Sequence, residues 1–147
     1  MLAGIDHIAL ETDDLARAEK FYTGLLGLSV VIKLPDQVLM RCGGQDIALF
    51  LRPRNAMTDE EKRALLDRPL GKAHISFRAT WESYQRMRDA FRKNGIPHHS
   101  PIDCGSYEGC YFLDPDGNLL QIAGYKPPNT TGDVVTAMVF EGADSEK

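Results

Sequence analysis

The chain has no long apolar run: Ile47-Ala48-Leu49-Phe50-Leu51 is typical of its most apolar stretches, far short of the roughly 20 residues that cross a bilayer. A membrane protein is therefore not indicated. Cysteine is scarce. Cys42, Cys104 and Cys110 are odd in number and form no Cys-x-x-Cys pair, so they read as reduced thiols buried as small hydrophobes, with a nucleophilic role as the alternative. No charge of one sign dominates: 17 Lys and Arg stand against 21 Asp and Glu, and the basic residues are scattered, which argues against a nucleic-acid partner. Nor does the start read as a signal peptide, because Asp6 and His7 interrupt it before an apolar segment can form; a cytoplasmic location is expected. What remains is 147 residues, 43% hydrophobic and 26% charged, the size and composition of one globular domain with a real core.

What the chain does have is a repeat. Gly4-Ile5-Asp6-His7-Ile8-Ala9-Leu10 aligns with Gly71-Lys72-Ala73-His74-Ile75-Ser76-Phe77, each glycine three residues ahead of its histidine. A helical stretch follows in both copies and stops at a glycine, Gly27 or Gly95. The first helix is expected to start near Asp13 or Asp14 and to bury Leu15, Ala18, Phe21, Tyr22 and Leu25. The second starts after Thr80, with Glu82 at the positive end of its dipole and Tyr84, Met87 and Phe91 as its buried stripe. Strands read at 28–33, 37–42 and 45–52, then at 97–103, 109–113 and 118–123, punctuated by Gly43-Gly44 and Asp114-Pro115-Asp116-Gly117.

The order strand, helix, three strands thus occurs twice. It predicts an α+β fold of two tandem βαβββ modules forming a curved sheet with helices outside and a concave site. Module one spans about 4–53 and module two about 71–126. The linker, 54–70, holds a capping box, Thr58-x-x-Glu61, that should start a short helix, and its Pro and charge content suits a surface connection. The tail, 127–147, carries an apolar segment at 134–140 able to dock on the domain or on a second chain.

Successive side chains of a strand point to opposite faces. If Ile8 and Leu10 pack under the helices, His7 and Ala9 face the hollow; likewise Ile75 and Phe77 send His74, Ser76 and Arg78 inward. The same parity turns Leu119, Gln121, Ala123 and Tyr111 inward and Phe112 outward. Two imidazoles at equivalent places, with an amide from the last strand, make a candidate metal site; packed histidines in a metal-free pocket are the alternative.

His7-Ile8-x-Leu10, Phe21-Tyr22 ahead of Leu26-Gly27-Leu28, and Tyr111-Phe112-x-Asp114-Pro115-Asp116-Gly117-Asn118 resemble the vicinal oxygen chelate superfamily of glyoxalases, bleomycin-resistance proteins and extradiol dioxygenases. The resemblance runs from about Ile5 to Tyr125. It implies a divalent metal ion (Fe, Mn, Ni, Zn or Co) held by histidines on the first and fifth strands and a Glu on the last. His7 and His74 match those histidines, and Gln121 stands where the Glu would be. An amide offers only a neutral carbonyl oxygen, so such a site would bind metal more weakly and leave it its full double charge.

The implied function is a metalloenzyme acting on a small molecule that chelates the metal through adjacent oxygens, of dioxygenase or lyase/isomerase type. The alternative is a non-catalytic, bleomycin-resistance-like binding protein. Tyr111 falls where ring-cleaving relatives carry a substrate-facing tyrosine, which makes it the catalytic candidate; Ala9 stands where thiol transferases of the fosfomycin-resistance type carry a Thr. Arg78 could steer an anionic substrate or pair with an acid, and His98-His99 read as edge histidines. The resemblance also implies a homodimer in which two chains complete each hollow.

Overall fold

In the computed structural model, which describes residues 1–128, the repeat becomes two sheets of four strands. The first contains β1 (His7–Thr12), β2 (Ser29–Leu34), β3 (Gln37–Cys42) and β4 (Gln45–Leu51). The second contains β5 (Ile75–Thr80), β6 (Ile102–Asp103), β7 (Tyr107–Leu113) and β8 (Leu119–Tyr125). Strand order is the same in both, β1-β4-β3-β2 and β5-β8-β7-β6, with the opening strand parallel to its neighbour and the other pairs antiparallel. The apolar segment at 134–140 lies outside the described residues.

Each opening strand hands over to a helix: α1 (Leu15–Lys20) follows β1, and α3 (Trp81–Lys93) follows β5, while α2 (Asp59–Asp67) lies in the linker. Their starts follow from capping chemistry. Asp14 accepts the Arg17 N–H at 2.9 Å, and Thr80 accepts that of Ser83 at 3.2 Å. In the linker Thr58 and Glu61 satisfy one another's backbone N–H groups, the reciprocal box expected from the sequence. The first helix departs from expectation at its end. It widens into a π turn over Phe21–Leu25, where the Leu26 N–H reaches back to the Phe21 carbonyl.

Both helical stretches then stop at a glycine in the left-handed region, Gly27 at φ 75° and Gly95 at φ 63°. The N–H after each glycine folds back onto the helix, from Leu28 to the Tyr22 carbonyl and from Ile96 to that of Phe91. The first loop is one residue longer, as a π turn requires.

The expected strand at 97–103 shrinks to Ile102–Asp103, preceded by one isolated bridge between His98 and Phe112. Pro97 and Pro101 carry no N–H, so a continuous ladder cannot form there. β7, by contrast, starts two residues earlier than expected, and β8 runs on to Tyr125.

The helix-side faces of the two sheets meet in one core. Ala18, Phe21, Tyr22 and Met40 of the first module pack with Phe91, Phe112, Leu120 and Ile122 of the second. Phe112 sits at the centre, its ring 4.6 Å from Phe91 and 6.4 Å from Phe21. Packing is close enough that a Cβ at Gly124 would lie 2.2 Å from the Tyr84 ring. Among the described residues no helix is long and apolar enough to cross a membrane.

Candidate functional site

The site is built on the open face of the second sheet, away from the shared core. Cross-strand register puts Gln121 of β8 between Ser76 of β5 and Tyr111 of β7. His74 stands at the entrance to β5, its ring edge-on to that of Tyr111 with centroids 5.0 Å apart. Gln121 and Tyr111 are only 6% and 3% exposed. The Gln121 amide nevertheless makes no hydrogen bond among the described residues, which leaves its oxygen available as a donor atom. Gly109 makes room for it: a Cβ there would fall 2.5 Å from the Gln121 amide nitrogen.

Backbone support fixes the His74 ring. Its Nδ1 lies 2.8 Å from the Lys72 carbonyl, an acceptor only, so Nδ1 carries the proton and Nε2 keeps the lone pair in the neutral ring. Lys72 is itself tied down, its Nζ donating to the carbonyls of Ala64 and Leu65 at 2.7 and 3.1 Å. Those carbonyls belong to the last turn of α2, where a cation is favoured. Leu65 and Leu66 of the same helix pack against Tyr111, Leu113 and Leu119. The linker, read from sequence as a surface connection, thus also covers one end of the site.

His7 lies elsewhere in the chain. It opens β1 on the first sheet, half exposed, with Nδ1 2.8 Å from an Asp6 carboxylate oxygen and Nε2 again left with the lone pair. A cavity of about 200 Å³ beside it is lined by Asp6, Gln37, Asp46, Ala48 and Phe50, all of the first module. A single chain therefore brings together His74, Tyr111 and Gln121 and places His7 on the other sheet. Nδ1 is similarly engaged in His98, by the Ile96 carbonyl, and in His99, by that of Ser100, so the tautomer alone does not single out a ligand. Position does. The His98 ring lies 5.8 Å from Phe91, on the core side of the sheet.

Burial, then the neighbouring Cys104, raises the Tyr111 pKa, so its phenol keeps its proton at neutral pH. The Asp-Pro-Asp-Gly turn after β7 serves a different end. Asp114 is buried and accepts hydrogen bonds from the Tyr22 hydroxyl at 2.8 Å, the Asn118 N–H at 2.8 Å, the Asn118 side-chain amide at 2.7 Å and the Asp116 N–H at 3.0 Å. Burial raises its pKa although the bonds from Asn118 and Tyr22 pull the other way. Beside it Arg17 joins Asp13 and Asp116 at 2.6 and 2.7 Å. Tyr22 and Arg17 come from the first module, so this motif clamps the two modules together. A larger cavity of about 520 Å³ also lies between the modules, lined by Leu25, Leu26, Cys42, Phe77, Thr80 and Arg86 and not by His74, Tyr111 or Gln121.

The sequence profile of the Glyoxalase/Bleomycin resistance protein/Dioxygenase superfamily matches residues 4–122. The chain belongs to this superfamily. It is 27% identical over 134 residues to biphenyl-2,3-diol 1,2-dioxygenase 3 of Rhodococcus globerulus, covering 86% of this chain and 67% of that one. It is 23% identical over 124 residues to the metallothiol transferase FosB of Staphylococcus haemolyticus, covering 83% and 84%. The crystal structure of lactoylglutathione lyase from Agrobacterium tumefaciens matches with a TM-score of 0.62 at 27% identity, over 84% of this chain and 94% of that one. Three named activities on one glyoxalase-type scaffold mean that the fold does not select the reaction.

His74 offers an oriented Nε2, Gln121 an unpartnered amide oxygen, and His7 a second oriented Nε2. That is a nitrogen and oxygen set suited to first-row metals. His74 and Gln121 could hold an ion from one side, while His7 of the same chain lies on the other sheet.

Proposed function

We propose that the protein is a vicinal oxygen chelate metalloenzyme, of dioxygenase or lyase/isomerase type, acting on a small molecule with two adjacent oxygens. His74 and Gln121 of one chain and His7 of a second copy are the ligands of its divalent metal, so the working unit is a homodimer. The observation that carries this reading is the Gln121 amide, without a hydrogen bond among the described residues, opposite Tyr111, whose ring meets the oriented His74 ring. The bound ion would supply Lewis-acid stabilisation of charge developing on the chelated oxygens.

The chain's own residues orient and protect that chemistry. The Lys72 carbonyl fixes the His74 ring, and Gly109, lacking a side chain, leaves the space that the Gln121 amide occupies. Tyr111, in contact with the His74 ring, presents a protonated hydroxyl that can donate a hydrogen bond to a substrate oxygen. Leu65 and Leu66 of α2 exclude water from the Tyr111 end.

Metal content of tag-free protein, with His7→Ala and His74→Ala alongside, is the test. Near-stoichiometric divalent metal in the wild type and its loss in either variant are expected. A chain that binds none of Fe, Mn, Ni, Zn or Co would instead be a metal-free small-molecule binder. Sharing between copies has its own readout: mixing the two variants should restore binding to about a quarter of the sites through hybrid dimers. A monomer mass by light scattering sinks the shared site.

A further inference from the structure

Four residues beyond His74, the same face changes character. Arg78 lies over the Tyr125 ring, its guanidinium carbon 4.0 Å from the centroid, and Tyr125 stacks in turn on Tyr107 with centroids 5.3 Å apart. Among the described residues Arg78 makes no ion pair or hydrogen bond, so the sequence alternative of pairing with an acid is not realised there. Its charge is anchored by stacking while its N–H edge stays free.

Among the described residues, no acidic side chain on this face of the sheet offsets that charge. The positions of β5, β7 and β8 that share it with Gln121 include no Asp or Glu, and Glu108 points the other way, toward Tyr84 and Arg88. Between the two ends lies a floor of small side chains, Ser76, Gly109 and Ala123. With two neutral imidazoles and a neutral amide as ligands, a bound divalent ion would add its full charge to that of Arg78.

We propose that Arg78, seated on Tyr125, is an anion subsite, and that the substrate carries a carboxylate at the end remote from its chelating oxygens. The proposal rests on the functional reading above and names the substrate class of that site. At about 3.3 Å per residue, Arg78 lies roughly 7 Å from Ser76 and 13 Å from His74 along β5, which sets the spacing between the two ends of the ligand.

A matched pair of probes isolates the carboxylate: 3-(3,4-dihydroxyphenyl)propanoate and its neutral amide, titrated calorimetrically into wild-type and Arg78→Gln protein, each with and without Mn(II). The acid should bind wild type about tenfold more tightly than the amide, and the gap should close to within about twofold in Arg78→Gln, with amide affinity unchanged. Tyr125→Leu, which removes the platform but leaves the charge, should narrow the gap in part. Equal affinity of acid and amide, or a preference untouched in Arg78→Gln, overturns the subsite whatever manganese does. If the acid preference behaves as expected but manganese strengthens neither probe, the subsite stands and the metal-chelate reading falls. Binding of neither probe overturns both.

Discussion

β4 and β8 hold the same place in the two modules, beside the opening strand, yet β8 is buried at six of its seven residues and β4 at three. β2 is exposed along its whole length, with Ile32 at 47%. Both sheets give their helix side to one core, so the difference lies on the open faces. Over the second sheet, Leu65 and Leu66 of α2 pack with Tyr111, Leu113 and Leu119, and the His74 ring meets Tyr111; among the described residues β2 joins no buried cluster. The register sharpens the contrast. Where the second module sets Gln121 between Ser76 and Tyr111, the first sets Ala48 between Ala9 and Leu39. The repeat keeps the scaffold and the histidine, but at these equivalent positions only the second module has the amide and the tyrosine; in the proposed site the first module would contribute a single ligand.

The largest effect should come from the part both modules share. Phe112→Ala, at the centre of the joint core, is expected to cost about 3–5 kcal/mol in urea unfolding, whereas Ile32→Ala on the open strand should stay within about 0.5 kcal/mol. Similar losses at the two positions would show that the first sheet is as closely packed as the second.

The inter-module clamp comes next. Asp114→Ala leaves the Tyr22 hydroxyl and the Asn118 amide without their acceptor and should cost about 1–3 kcal/mol. Asp114→Asn probes the charge. In the folded chain burial holds this carboxyl above its ordinary value of 3.8, so the folded state keeps a proton that the unfolded state has released. The stability it contributes therefore falls as pH rises from that value through the raised one, then levels off. The Tm difference, wild type minus Asp114→Asn, should shrink over that window; a widening difference would reverse the assigned direction.

Gly109→Ala tests the site with little effect on the fold. Displacing the Gln121 amide should weaken metal binding about tenfold or more with a small change in Tm, and unchanged affinity would remove Gln121 from the ligand set. The smallest effect should be Thr58→Ala, which removes the cap of α2 and should cost about 1 kcal/mol, read by faster amide exchange in that helix.

Local rules made much of this legible. Two-residue periodicity correctly assigned Tyr111 and Arg78 to one face and Phe77 and Phe112 to the other, and capping chemistry placed the starts of all three helices. What escaped needed partners distant in sequence or geometry without a composition signal. Tyr22 and Asp114 both belong to recognisable motifs, but 92 residues separate them and neither reveals its partner. The π turn, the tether from α2 through Lys72 to His74, and the space that Gly109 leaves for Gln121 are likewise products of packing.

The clamp between Tyr22 and Asp114 also bears on the chain's own synthesis. Phe21 and Tyr22 leave the ribosome some ninety residues ahead of the ring and carboxylate they meet, Phe112 and Asp114. The apolar side of α1 can settle early on β3 and β4 of its own module, but Phe21 and Tyr22 wait for these second-module partners. The nascent first module is therefore a half-built interface until β7 and the turn after it are made, exposed to chaperones and to other unfinished chains.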